Sequence, residues 1–191
     1  IKIFEQLEER VAVRTRELNQ RNRETQALLD RLPQGIFTLD ENLCIEPGYS
    51  KHLGLLLGTD EDLSGQCITD TLFRHTSLSD EEVAMSQMAL QFGYGGPVFM
   101  TEVNWEHLVR AFDRCPPCGT PRSFEVDWTP IEDEFDDVVR VLVTLRDVTE
   151  IKKLEQAAQQ HARGITMLQE ILTAGVSDFQ EFAKNTALRI E

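Results

Sequence analysis

Residues 138–153, VVRVLVTLRDVTEIKK, limit the possible folds more than any other stretch, because a β-branched run passes there into a helical pattern with almost no loop. Val138, Val139, Val141, Val143 and Thr144, with Leu142 and Leu145, have the composition of a buried strand. From Asp147 the character changes. Asp147 and Thr149 are helix-capping types, Glu150 places negative charge in a first turn, and Lys152 and Lys153 follow. A short junction of this kind transmits a shift of the sheet instead of absorbing it, so the chain is expected to fold around a sheet whose last strand feeds a helix.

The rest of the chain supplies that sheet. Gly35 to Asp40, GIFTLD, alternates as a strand should, and LCIE, 43–46, returns as a second short strand after the Asp40-Glu41-Asn42 turn. SFEVDWTPI, 123–131, places Phe124, Val126, Trp128 and Pro130 on one face, and the acidic turn 132–137 leads it antiparallel into the junction strand. Between these lie helical patterns: Tyr49, Leu53, Leu56 and Leu57 up to Gly58; Ile68, Leu72 and Phe73; and a capped start at Ser79-Asp80-Glu81-Glu82, ended by Gly93. Val98–Leu108 is read as a strand turning helical near Trp105, and 114–121 as a loop.

Residues 1–32 lack Gly and Pro and read as one long helix. Phe4, Leu7, Val11, Arg14, Leu18, Arg21, Thr25, Leu28 and Leu32 alternate spacings of three and four, the seam of a two-stranded coiled coil with a polar middle, which is favoured over a solvated helix lying on its own domain. A second amphipathic helix runs from Asp147 to about Leu172, and Gly175 and Ser177 are expected to separate it from a further helix. The domains implied are 1–32, 33–149, 150–174 and 175–191. A chain that opens on Ile1 and stops at Glu191 inside a helical pattern is expected to belong to a longer protein.

Composition excludes some functions. With 19 Lys and Arg against 33 Asp and Glu and a formal net charge of −14, broad nucleic-acid affinity is not expected, since it needs clustered cations to displace counterions. No apolar run nears the roughly 20 residues of a membrane span. Cys44, Cys67, Cys115 and Cys118 are expected to be reduced thiols in a cytoplasmic protein.

The element order, with Arg146-Asp147-Val148-Thr149-Glu150 closing it, resembles a PAS domain, the small sensory module of bacterial signalling proteins, whose last strand ends in an Asp-(Ile/Val)-Thr motif. GIFTLDENLCIE, YSKHLGLLLG and LSGQCITDTLF resemble the opening of that family, and the likeness covers about residues 27–150. LEERVAVRTRELNQRN resembles the signalling helix that joins sensors to downstream modules in histidine kinases. The resemblance implies an α+β fold, a PAS-like antiparallel sheet of about five strands with short helices on one face and long flanking helices. It also implies a two-component role, with Arg146, Asp147 and Thr149 tying the last strand to the outgoing helix. Homodimerisation through 1–32 and 150–172, and an output domain in the same chain, follow from it.

Other chemistry is weaker. Cys115-Pro-Pro-Cys118 lacks both the helix start of a redox dithiol and the second pair of a zinc site, so a loop is favoured over a metal site with His107, and Cys44 and Cys67 stand singly. His52 and His75 are weighed as haem ligands and read as structural; no cofactor is expected. His161 lacks the pattern around a phospho-acceptor. No phosphate loop, nucleophile elbow or paired-His motif supports an enzyme. Two rival readings stay open: a dimerising spacer that binds nothing, and a redox or metal protein using Cys115 and Cys118.

Overall fold

The computed structural model describes the backbone of residues 2–116 and 119–187, without the side chains of residues 2, 3, 5, 102, 103 and 170–187. Two units are described separately, one up to Val148 and one from Thr149.

In the first unit, α1 (Lys2–Leu29) precedes β1 (Gly35–Leu39), and α2 (Lys51–Leu57), α3 (Ile68–Thr71), α4 (Asp80–Gly93) and α5 (Val98–Asn104) follow. A 3-10 turn at Trp105–His107 leads into β2 (Ala111–Arg114), β3 (Arg122–Glu132) and β4 (Val138–Asp147). The strands form one antiparallel sheet in the order β1, β4, β3, β2. This is the α+β architecture with an antiparallel sheet expected from the sequence, with one strand fewer. The fifth, expected at 43–46, shrinks to a bridge between Leu39 and Ile45 beside β1.

The period of two explains the core. Val141, Val143 and Leu145 of β4 are wholly buried, as are Phe124 and Val126 of β3, and Phe37 and Leu39 of β1 lie beside them. Leu53, Ile68, Leu72 and Leu90 close the same core from the helices. The capping box at Ser79 forms as expected: Ser79 Oγ accepts the Glu82 N–H at 3.3 Å and Glu82 Oε2 accepts the Ser79 N–H at 2.8 Å.

Three local expectations are corrected. Residues 98–104 are helical, not extended. Thr101 is buried and its hydroxyl donates to the Val98 carbonyl at 2.6 Å, while Gly93 of α4 lies so close to Trp105 that a Cβ would stand 3.0 Å from the indole nitrogen. Packing against α4 overrides the β-branched composition. Residues 111–114, not foreseen as a strand, form β2; only Phe112 of the four is buried, too short a run to show alternation. The incoming helix ends at Leu29, a turn earlier than expected.

The second unit is α6 (Thr149–Ala187). It runs unbroken through Gly175 and Ser177, against the expected break between separate helices; one glycine costs a helix only about 1 kcal/mol against alanine. Among the described residues no helix is long and apolar enough to cross a membrane.

Candidate functional site

Arg146 and Asp147 close β4, opposite Glu125 and Phe124 of β3. The Arg146 guanidinium pairs with Asp127, two residues from Glu125 on the same strand. Val148 continues the ladder by one residue: it is buried, and its N–H donates to the Ser123 carbonyl at 2.9 Å. The chain leaves the sheet from a fixed point, and Thr149 opens α6 directly after it. Arg146 and Asp147 are therefore consecutive on one strand, with side chains toward opposite faces, and Thr149 belongs to the helical unit.

A second attachment, at the incoming end, escaped sequence reasoning. Asp30, one residue beyond α1, accepts the backbone N–H of Lys51 at 3.0 Å and pairs with its ammonium at 3.2 Å. Gln26 of α1 donates to the Tyr49 carbonyl at 3.0 Å and to Asp30 at 3.1 Å. Asp30 thus occupies the N-terminus of α2, where an anion meets free N–H groups. Beside it Ser50, fully buried, donates from its hydroxyl to the Gln34 carbonyl and accepts the Ile36 N–H, both at 2.9 Å. The end of α1 is bound to α2, and through Ser50 the start of α2 is bound to β1. An acid shortly before Pro33 was the only sequence signal, and its partner lies 21 residues away.

Burial raises the Asp30 carboxyl, but the Lys51 N–H, the Lys51 ammonium and Gln26 outweigh it and hold the group below its ordinary 3.8. A depressed carboxyl stabilises the fold above its unfolded value and loses that contribution as pH falls through the folded one. Asp30→Ala is expected to cost about 1 kcal/mol in urea unfolding at pH 7, discounted because the Lys51 side chain is exposed. The difference from the parent should shrink below pH 4, an order-of-magnitude boundary set by ordinary carboxyl titration (~3.9); a pH-independent difference would contradict the role given to the carboxylate.

The thiols are arranged differently from expectation. Cys44 and Cys67 do not stand singly: their sulfurs are 3.2 Å apart, across a bridge flanked by Ile45 N–H to Gln66 O and Ile68 N–H to Leu43 O, both at 3.0 Å. That pattern is the close, non-hydrogen-bonded pairing of antiparallel strands. They lie 23 residues apart, where no spacing rule connects them. Cys115 is exposed, with its N–H donating to the His75 carbonyl at 2.9 Å, and Cys118 lies outside the described residues. His107 ends the 3-10 turn. No group of three His, Cys, Asp or Glu positioned for a metal occurs among the described residues. His52 is half-buried on α2, His75 is exposed with a left-handed φ of 60°, and His161 is exposed on α6. In the acidic turn 132–137, Asp133 Oδ1 accepts the N–H groups of Phe135 and Asp137 at 2.8 and 3.2 Å, so this carboxylate holds the turn.

No protein-family model matches the chain, and no curated protein matches it. Among solved structures it is similar to the PAS domain of an HTR-like protein from Haloarcula marismortui, at 21% identity and a TM-score of 0.46 over 71% of this chain and 98% of that one. It is similar also to the PAS domain of nitrogen regulation protein NR(II) from Vibrio parahaemolyticus, at 20% identity and a TM-score of 0.42 over 64% and 96% of the two chains. A sensory box histidine kinase/response regulator from Burkholderia thailandensis E264 matches at 14% identity and a TM-score of 0.44, over 74% and 96%.

Proposed function

We propose that this PAS-like chain is a sensory and regulatory module of a bacterial two-component protein, which dimerises through its flanking helices and passes a signal to an output domain in the same chain. The observation that supports the reading best is the pair of attachments. A long incoming helix is fastened to the domain at Asp30 and Gln26, and the last strand leads into a long helix with only Val148 between them. Relay through such elements requires two discrete arrangements that each end of the domain can bias.

The surface of α1 favours a second helix as its partner. Phe4, Leu7, Val11, Leu18 and Leu28 are more than half exposed at coiled-coil spacing, and apolar side chains in that register bury themselves against an identical helix. The apolar residues Ile151, Leu154, Ile165 and Leu168 of α6 are likewise exposed within their own unit.

Leu7→Asp with Leu18→Asp is expected to convert a dimer to a monomer in sedimentation equilibrium, with the near-UV dichroism of the domain retained. A parent chain that is already monomeric at millimolar concentration would refute the dimeric reading. In the full-length protein, Asp147→Ala should change output without changing the melting temperature; unaltered output in a folded variant would remove Asp147 from the relay.

A further inference from the structure

The β2–β3 hairpin sets Arg114 directly opposite Arg122, a like-charged pair of the kind that destabilises a sheet. A third cation joins them. The Arg74 carbonyl accepts the Arg114 Nε–H at 3.1 Å, and burial, together with the charges of Arg74 and Arg122, holds the Arg114 guanidinium below its ordinary value. Three arginines elsewhere have acids: Arg14 pairs with Glu17, Arg140 with Glu46 and Arg146 with Asp127. No ion pair among the described residues joins an acid to Arg74, Arg114 or Arg122. Arg114 Nη1 is buried without a hydrogen-bond partner. In a chain with 33 acids against 19 bases, three neighbouring arginines without an ion pair among the described residues form a place suited to negative charge.

The hairpin opens on a groove of about 530 Å³. Arg114, Arg122 and Pro116 line it together with Leu56 and Leu57 of α2 and Phe124 of β3; of these apolar residues Leu57 is half-buried, and Leu56 and Phe124 are buried. Guanidinium groups suit oxyanions because their N–H groups form a planar fork that matches carboxylate or phosphate oxygens. A few convergent polar groups on an apolar lining also describe a small-molecule site in general.

We propose that this groove binds a small organic oxyanion, with a carboxylate or phosphate head held by Arg114 and Arg122 and an apolar body against Leu57. The head neutralises the opposed pair and lies in the field of Arg74. The site lies wholly within the first unit and requires neither a dimer nor α6, so it stands or falls apart from the relay.

The test is thermal unfolding of the full chain at constant ionic strength with inorganic phosphate, sodium hexanoate or hexylammonium chloride, beside sodium chloride alone. Both oxyanions are expected to raise the melting temperature, by about 5 °C or more at roughly 100 times Kd. Hexanoate should act at lower concentration than phosphate, and hexylammonium should have no effect. Arg122→Gln should melt no lower than the parent without ligand, because it removes a repulsion, and should weaken hexanoate binding at least about tenfold. If that variant fails to fold, Arg122→Lys keeps the charge but loses the fork, and should also weaken binding. No response to either oxyanion beyond chloride, or an equal response in the Arg122 variants, would overturn the site. A response to phosphate alone would overturn the apolar-body half of the proposal.

Discussion

Diamide added to the reduced protein is expected to join Cys44 to Cys67 within one chain. Each thiol gives up a proton and an electron, the diazene takes up both pairs to become a hydrazine, and one S–S bond forms. The geometry favours it: the sulfurs are 3.2 Å apart at a non-hydrogen-bonded antiparallel pair, where Cα atoms stand about 4.5 Å apart and a disulfide fits. Closing a loop of this length should add about 3 kcal/mol to stability in urea unfolding. The reaction depends on pH, since the thiolate is the nucleophile. The Cys44 thiol is pushed up to about 11, first by the hydrogen bond it shares with Cys67 and then by burial, so closure should be slow at neutral pH and faster as the solution becomes alkaline.

The same shift has a sign for the reduced protein. A thiol raised in the folded state contributes stability that is intact below its ordinary value of 9.0 and lost as pH rises through about 11. A Cys115→Ser, Cys118→Ser background isolates the pair, and peptide mapping after alkylation reads it. Both cysteines remaining open to alkylation after diamide, or links forming only between chains, would rule out the pairing.

Phe124→Ala is the single substitution expected to cost most, about 3–5 kcal/mol. Phe124 is 1% exposed and its ring lies 5.7 Å from that of Phe112, which in turn meets Phe73 edge-on at 6.3 Å. The three rings join the β2–β3 hairpin to the segment after α3, so the void left by alanine lies between elements that backbone pairing and helix packing hold in place. Domains of this size are stable by roughly 5–15 kcal/mol, so the loss removes a large fraction of the total. Urea denaturation with an unchanged m-value would measure the loss, and a cost below about 1 kcal/mol would show that the site collapses freely.

What could be read from the sequence was local. Strands β1 and β3 showed themselves by alternation over five residues or more, β4 by its β-branched run, and Ser79 with Glu82 announced a helix start within four positions. β2 was hidden because four residues with one buried side chain carry no period. α5 was hidden because its contacts with α4 decide its state, against its own composition. The features with chemical interest are all pairings across the topology: Asp30 with Lys51, Cys44 with Cys67, Arg114 with Arg122. Each member alone looked like a surface acid, a lone thiol or a loop cation, and only the fold made them partners.

The fifth strand that shrank to a bridge also covers part of one margin of the sheet. On the outer side of β1, Ile36 is engaged by Ser50 and the Thr38 carbonyl by Glu46. At the opposite margin Ser77 engages both the N–H and the carbonyl of Asp113 in β2. An open strand margin is a template for a second strand, and loops that occupy it prevent such growth. At these positions both margins of the sheet are occupied by the chain's own turns, which leaves no open backbone there for strand-by-strand polymerisation.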